Sequence, residues 1–133
     1  MRTLQLLQEK NHFLEKFFSL NEKQILHMLE GHFDQIEQFY NQREDLMKII
    51  RYVDAEVVKA EAVYRDINGV YTEMQKIMIK EIMRTKDQYV TRILEQDMQI
   101  LALIDKAKSN IIKELQQVRK GKRAMTGYKS SAA

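Results

Sequence analysis

Few residues in this sequence of 133 residues could hold a metal ion, and they include one suggestive pair. Glu9 and His12 have the Glu-x-x-His spacing, which places two ligands on one face of a helix. A di-iron helical bundle needs two such pairs and a glutamate from each of two further helices. The other histidines, His27 and His32, complete no second pair. The sequence therefore predicts no metal site and no cofactor.

Other catalytic patterns are missing as well. The chain has no cysteine, which excludes thiolate nucleophiles, thiolate metal sites and disulfides. It contains no glycine-rich loop of the kind that cradles phosphates. Asp97 is a lone acid on an apolar stripe, which is too little for general acid–base catalysis. We therefore predict that the protein is not an enzyme.

The composition favours long helices that would position apolar and charged faces. There is no proline and there are only four glycines, so a sandwich or barrel with many tight turns is hard to build. Charged residues make up 31% and hydrophobic residues 44%, a mix typical of amphipathic helices. No apolar run approaches the ~18 residues of a membrane span, and the N-terminal residues carry charges too often for a secretory signal. We expect a cytoplasmic, nearly all-helical protein without a membrane span.

Apolar residues recur in alternating steps of three and four, the spacing of helices that pack on other helices. The segments with this period cover residues 2–29, 33–67 and 72–120. We predict an all-α fold, an antiparallel three-helix (possibly four-helix) elongated bundle or coiled coil over residues 1–120. A flexible basic tail is expected to follow over residues 121–133.

Short local signals mark the predicted helix ends. Gly31 and the pair Asn68-Gly69 suit positions just past a helix end, where the chain turns with positive φ. Asp34 suits the first turn of the second helix, where a carboxylate meets unsatisfied N–H groups. Thr72 and Gln75 have the spacing of a capping box that opens the third helix.

Polar residues interrupt the apolar stripes of the first two segments. Asn11 and Asn21 either fix the register of the bundle from buried positions or lie solvated at its edge. Arg43 could pack its stem while its guanidinium snorkels or pairs with a carboxylate across the bundle. For Arg43 we favour a structural ion pair over recognition of a ligand.

The unequal lengths of the segments indicate an uncovered apolar surface. At ~1.5 Å per residue the three segments span roughly 42, 52 and 73 Å. Either the third segment breaks near Thr85, where Asp87 could cap a fresh helix, or its end carries an apolar stripe past its neighbours. An uncovered stripe of that kind favours the binding of a partner.

Two stretches of the sequence resemble helices of one known family. Residues 31–50, GHFDQIEQFYNQREDLMKII, resemble the start of the second helix in flagellar export chaperones of the FliT-like and FlgN-like family. Residues 94–131, LEQDMQILALIDKAKSNIIKELQQVRKGKRAMTGYKSS, are similar to their closing helix, with Asp97 and the run RKGKRAMTGY. Residues 6–31, LLQEKNHFLEKFFSLNEKQILHMLEG, fit the first helix, and together the stretches cover somewhat under two-thirds of the chain.

The resemblance implies a small cytoplasmic chaperone without ATPase activity. Such chaperones hold the C-terminal amphipathic segment of an unassembled axial protein, either the filament cap or a hook–filament junction protein. They prevent its premature self-association and deliver it to the type III export apparatus. We expect the cargo contacts along the third segment, with about half of these residues belonging to the core instead: Ile93, Ile100, Leu101, Ile104, Ile111, Ile112 and Leu115.

In the family, an aromatic residue near the C-terminus is associated with docking at the export gate. Tyr128, flanked by Arg123 and Lys129, is the position that matches here. A tyrosine can offer a flat apolar face and a hydroxyl to a pocket, while neighbouring cations steer the encounter. A solvated tail tyrosine is the alternative interpretation.

Two other functions are compatible with the same sequence. A structural coiled-coil adaptor could form a homodimer in which the third segment pairs with its copy. A basic-tailed binder of nucleic acid or a membrane surface is the other, since the chain carries +5 from Lys113 onward against +3 overall. Cations near the C-terminus of any helix are also stabilised by the helix dipole, without a nucleic-acid partner. Interleaved aromatic residues are lacking as well, so we expect no nucleic-acid partner.

Overall fold

The protein is described here by a computed structural model, which covers the backbone of residues 1–132 and the side chains of residues 1–123. The described residues form three α-helices: α1 (Arg2–Leu29), α2 (Ile36–Asp66) and α3 (Glu73–Ala132). The predicted all-α fold with three helices is therefore confirmed. The predicted bounds of α1 are also correct, whereas α2 begins three residues later than predicted. Asp34 lies in the turn before α2 and not in its first turn, as Gln35 is the N-cap.

The turn between α1 and α2 depends on Gly31. Its φ angle is +84°, a left-handed conformation that costs little only for glycine. The N–H of His32 donates to the carbonyl of His27 (2.9 Å) and the N–H of Gly31 donates to that of Met28 (3.0 Å). This pair of hydrogen bonds is a Schellman motif, which satisfies carbonyls that the end of a helix leaves unpaired.

The turn between α2 and α3 uses the same motif with asparagine in the left-handed position. Asn68 has φ +53°, and the N–H of Gly69 donates to the carbonyl of Tyr64 (2.9 Å). Gly69 is needed for space, because a Cβ there would lie 2.5 Å from the Tyr64 ring. Tyr64 in turn stacks on Tyr71, with ring centroids 4.9 Å apart. The predicted break at Asn68-Gly69 is confirmed.

The predicted capping box at the start of α3 is also confirmed. The N–H of Gln75 donates to the Thr72 hydroxyl (3.1 Å), and the N–H of Thr72 donates to the Gln75 side-chain carbonyl (2.9 Å). Each side chain thus satisfies an N–H group that the first turn of a helix leaves without a partner. The box fixes where α3 begins.

Helix α3 runs without interruption through both places where the sequence suggested that it could stop. Thr85 and Asp87 lie within the helix, so the third segment is one helix and not two. The helix also continues past Gly121 to Ala132, beyond the predicted end at residue 120. A single helical glycine costs only about 1 kcal/mol, and the lysines on either side of Gly121 are good helix formers. No proline is present to end the helix outright.

Residues Met1–Gln99 form one compact unit, in which α1 and α3 run in the same direction and α2 runs against both. Lys10 of α1 pairs with Asp54 of α2 (2.7 Å), so the early part of α1 meets the late part of α2. The Asn11 side-chain N–H donates to the carbonyl of Ile82 in α3 (3.0 Å). The core of this unit is formed by Leu14, Phe17, Ile50 and Ile93, with Phe13, Phe18, Leu46 and Tyr89 packed around them.

A second unit begins at Ile100 and consists of the remainder of α3. Within the part of the chain that the structure describes, no helix combines enough length with enough apolar character to cross a membrane.

Candidate partner-binding surface

The apolar period of α3 is covered between Ile82 and Ile100. Ile82 and Tyr89 are half-buried, Ile93 is 8% exposed and Ile100 is 1% exposed. These positions are separated by seven, four and seven residues, which keeps them on one face of a helix. Residues 82–100 of α3 therefore present this face to a core.

The same period continues beyond Ile100, but its apolar residues become exposed. Ile104 and Ala107 are half-buried, and Ile111, Leu115 and Val118 follow at steps of four, four and three. Ile111 is 56% exposed and Leu115 is 52% exposed. Isolated exposed apolar residues are normal on a protein surface, whereas a contiguous row at helical spacing marks an interaction site.

The structure divides the seven predicted cargo contacts into two sets. Ile93 and Ile100 are buried, so a partner cannot touch them while the helices stay packed. The other five are half-buried or exposed and, together with Val118, define what we call the apolar stripe of α3: Leu101, Ile104, Ile111, Ile112, Leu115 and Val118. Val118 has the right period but was not among the predicted contacts.

Cations dominate the described residues around the stripe. Between Leu101 and Arg123 there are seven lysines and arginines and two acids, Asp105 and Glu114, so this stretch has a net charge of +5. Lys108 and Arg119 form no ion pair among the residues that the structure describes. The surface thus combines an apolar row with a strong positive charge.

Next to this surface in the sequence, Asp97 joins all three helices in one polar cluster. Arg43 of α2 donates from its guanidinium to one Asp97 carboxylate oxygen (2.7 Å), and the Asn21 amide of α1 donates to the other (3.2 Å). The guanidinium also lies 5.0 Å from the centre of the Phe17 ring. The predicted ion pair of Arg43 across the bundle is confirmed. Asn21 is fully buried, so of its two predicted positions it occupies the buried one and not the solvated edge.

Two glutamines in the bundle were not foreseen from the sequence. Gln96 is 8% exposed and donates from its amide to the carbonyl of Phe18 (3.1 Å), which ties α3 to α1. Gln24 is also buried. A signal for Gln96 was available, because it lies three residues after Ile93 and four before Ile100, on the buried face.

The Glu9–His12 pair is not built into a site. Both side chains are exposed on α1, and His12 contacts the edge of the Phe13 ring (centroids 5.6 Å apart). Across the described residues, no three His, Asp or Glu side chains cluster closely enough to hold a metal ion.

The predicted docking residues lie at the edge of what the structure describes. The Arg123 side chain is exposed. Tyr128 and Lys129 lie outside the described side chains, as does most of the predicted tail over 121–133. Their role stays a prediction.

Comparison with models of protein families, with curated proteins and with solved structures gives no match for this chain. The candidate site therefore depends on its own geometry: an exposed apolar row, a basic surround and a polar cluster where the covered part of α3 ends.

Proposed function

We propose that this protein is a cytoplasmic chaperone of flagellar export. In this proposal the apolar stripe of α3 binds the C-terminal amphipathic segment of an unassembled axial protein, either the filament cap or a hook–filament junction protein. The bound segment is thereby kept from self-association until the complex reaches the export apparatus. The chaperone acts by binding and not by catalysis.

One observation carries the proposal: the apolar period of α3 continues for about five helical turns beyond the last buried residue, Ile100. A helix with an exposed apolar row can bury it against the apolar face of a second amphipathic helix, read as anchors three and four residues apart. The resemblance of residues 31–50 and 94–131 to FliT-like and FlgN-like proteins supplies the class of partner.

The proposal is tested by titrating the full-length protein with peptides from the C-termini of filament-cap and junction proteins. Replacing Ile111 and Leu115 together by serine should weaken binding at least tenfold, because about 1.5 kcal/mol or more of apolar burial is lost. The matched control replaces Val58 and Val63, which are exposed apolar residues of α2, by serine. Binding that is unaffected by the α3 substitutions, or lost equally in the control, would contradict the proposal.

A second copy of the chain is the alternative occupant of the same stripe. The stripe has the spacing of a coiled-coil seam, which is what a structural homodimer would need. Sedimentation equilibrium separates the two functions: a monomer at micromolar concentration argues for a foreign partner. A stable dimer that the Ile111 and Leu115 substitutions dissociate argues for the adaptor.

A further inference from the structure

Two cations lie on one side of the row formed by Ile104, Ile111, Leu115 and Val118 in the apolar stripe. Lys108 follows Ile104 by four residues and Arg119 follows Leu115 by four, and Leu101, Ile112 and Asp105 lie on this same side. The two cations are eleven residues apart, which is close to three helical turns and about 16 Å along the axis. Because neither has an ion pair among the described residues, both charges are available to a partner. We call this pair the basic edge.

The other edge of the stripe has a different character. Glu114 borders the row there, and the neutral amides Asn110 and Gln117 lie further round the helix. Lys122 lies in line with the stripe, four residues after Val118 and seven after Leu115, and the other three lysines of this stretch lie away from it. Lys106, Lys113 and Lys120 repeat every seven residues on the opposite face of the helix. The charge around the stripe is therefore asymmetric.

Resting on the proposed function, we propose that the helix that binds the stripe carries acidic side chains along one flank of its own apolar face. Two of these acids lie about three turns apart, where they meet Lys108 and Arg119. The partner's other flank is neutral or carries a single cation opposite Glu114. Complementary charge of this kind fixes the orientation of a bound helix and raises the rate of encounter.

A second copy of this chain fits the basic edge less well. In an antiparallel pair the same edges face each other, so Lys108 and Arg119 would meet the cations of the copy. In a parallel pair the basic edge faces the opposite edge of the copy, which offers Glu114 as the one acid for two cations. Each copy would also bring +5 to the contact over residues 101–123.

Anionic membranes and nucleic acids fit the surface less well too. A helix that lies in a membrane interface uses cations on its polar face to reach anionic lipid, whereas here one border of the stripe is acidic and neutral. A nucleic acid would use the cations but leave the apolar row exposed to water. An acidic amphipathic helix is the occupant that satisfies both the row and its basic edge.

The experiment uses the full-length protein and three synthetic amphipathic peptides of about 25 residues, long enough to cover the stripe. All share one leucine and isoleucine face, and they differ at two flank positions three turns apart, which carry glutamate, glutamine or lysine. Fluorescence anisotropy should show the glutamate peptide binding about tenfold more tightly than the glutamine peptide and the lysine peptide binding most weakly. The differences should shrink as salt is raised.

Charge-reversed variants locate the effect on the helix. The double variant Lys108→Glu/Arg119→Glu should reverse the order, so that the lysine peptide binds most tightly. The double variant Lys106→Glu/Lys120→Glu has the same change in net charge on the opposite face and should keep the original order. Equal binding of all three peptides overturns the inference, and so does reversal by the control variant, because attraction would then follow net charge alone. Tighter binding to anionic vesicles or duplex DNA than to any peptide also overturns it.

The two proposals can fail separately. If the peptides follow the expected order and no cap or junction segment binds, the flagellar assignment fails and the basic edge stands. If those segments bind to the stripe and the flank charges of the peptides have no effect, the basic edge fails and the proposed function stands.

Discussion

One apolar period runs through residues 82–100 and 101–123 of α3, yet its residues are buried or half-buried in the first stretch and mostly exposed beyond Ala107 in the second. The helix lengths explain the difference, since α1 has 28 residues, α2 has 31 and α3 has 60. At ~1.5 Å per residue, neighbours of about 42 and 46 Å cannot cover a helix of about 90 Å. Spacing reveals which side of a helix is apolar, and the lengths of the other elements decide where that side is covered.

The same substitution in the two stretches gives the largest expected contrast. Ile93→Ala removes a side chain from the core formed with Leu14, Phe17 and Ile50, and should lower the free energy of unfolding by about 2–4 kcal/mol. Ile111→Ala removes an exposed side chain of the same type and should change it by less than about 0.5 kcal/mol. Urea unfolding followed by circular dichroism measures both.

Partner binding should show the opposite pattern. Ile111→Ala should weaken the binding of an amphipathic peptide, whereas Ile93→Ala should leave the binding of the folded fraction nearly unchanged. An Ile111→Ala variant as unstable as Ile93→Ala would show that the second stretch is covered in solution. That result would remove the distinction between the two parts of α3.

Breaking the polar cluster around Asp97 should give the next largest loss of stability. The cluster lies where the covered stretch approaches its end. Asp97→Ala leaves the partly buried Arg43 guanidinium and the buried Asn21 amide without their acceptor. We expect a loss of roughly 2 kcal/mol in the free energy of unfolding, since removing one partner costs more than the net worth of the pair. A double-mutant cycle of Asp97→Ala with Arg43→Ala measures their coupling.

An exposed ion pair supplies the control for this cycle. Arg51 and Glu44 lie 2.9 Å apart with more than half of each side chain exposed. Their coupling should stay below about 1 kcal/mol, because solvent screens an exposed pair. A coupling between Arg43 and Asp97 as small as that of the exposed pair would mean that the cluster does not fix α3 in the bundle.

The sequence predicted features within one helix or turn well and contacts between helices poorly. The bounds of α1, the break at Asn68-Gly69 and the Thr72–Gln75 box depend on residues close in sequence, and all were predicted. Asn21, Arg43 and Asp97 were each recognised as polar residues on apolar stripes, but that they meet depends on how α1 and α2 are aligned against α3. Spacing within one helix does not contain that alignment.

The end of α3 and the division of its apolar residues were harder to predict for different reasons. Gly121 suggested a helix end, but its cost of about 1 kcal/mol is small beside the propensity of its neighbours. Ile93 and Ile111 have the same residue type and the same period, so the sequence could not tell core from surface. It predicted the candidate stripe as a set and could not identify which members were exposed.

The capping box tests how the start of α3 contributes to stability. Thr72→Ala removes the hydroxyl that accepts the Gln75 N–H and should lower the free energy of unfolding by about 1 kcal/mol. Gly121→Ala is the matched change in the second stretch, where an added Cβ meets nothing within 4 Å. It should raise helix content slightly and change the unfolding of the bundle by less than about 0.5 kcal/mol. Equal effects would contradict the view that the start of α3 and its second stretch contribute differently to stability.

The smallest expected effect is a pH dependence at Tyr71, which lies just before the start of α3. Burial raises the pKa of Tyr71 above its ordinary value of 10.0, and the hydrogen bond that its hydroxyl donates to Glu61 adds to the rise. Because the folded protein holds this proton more tightly than the unfolded chain, the stabilisation is present below about pH 10 and is lost as the pH rises through the pKa of the folded state. Tyr71→Phe should reduce the fall in unfolding free energy above pH 10, whereas Tyr52→Phe, at an exposed position, should not. Identical profiles for the two variants would show that Tyr71 holds its proton no more tightly in the folded protein than in the unfolded chain.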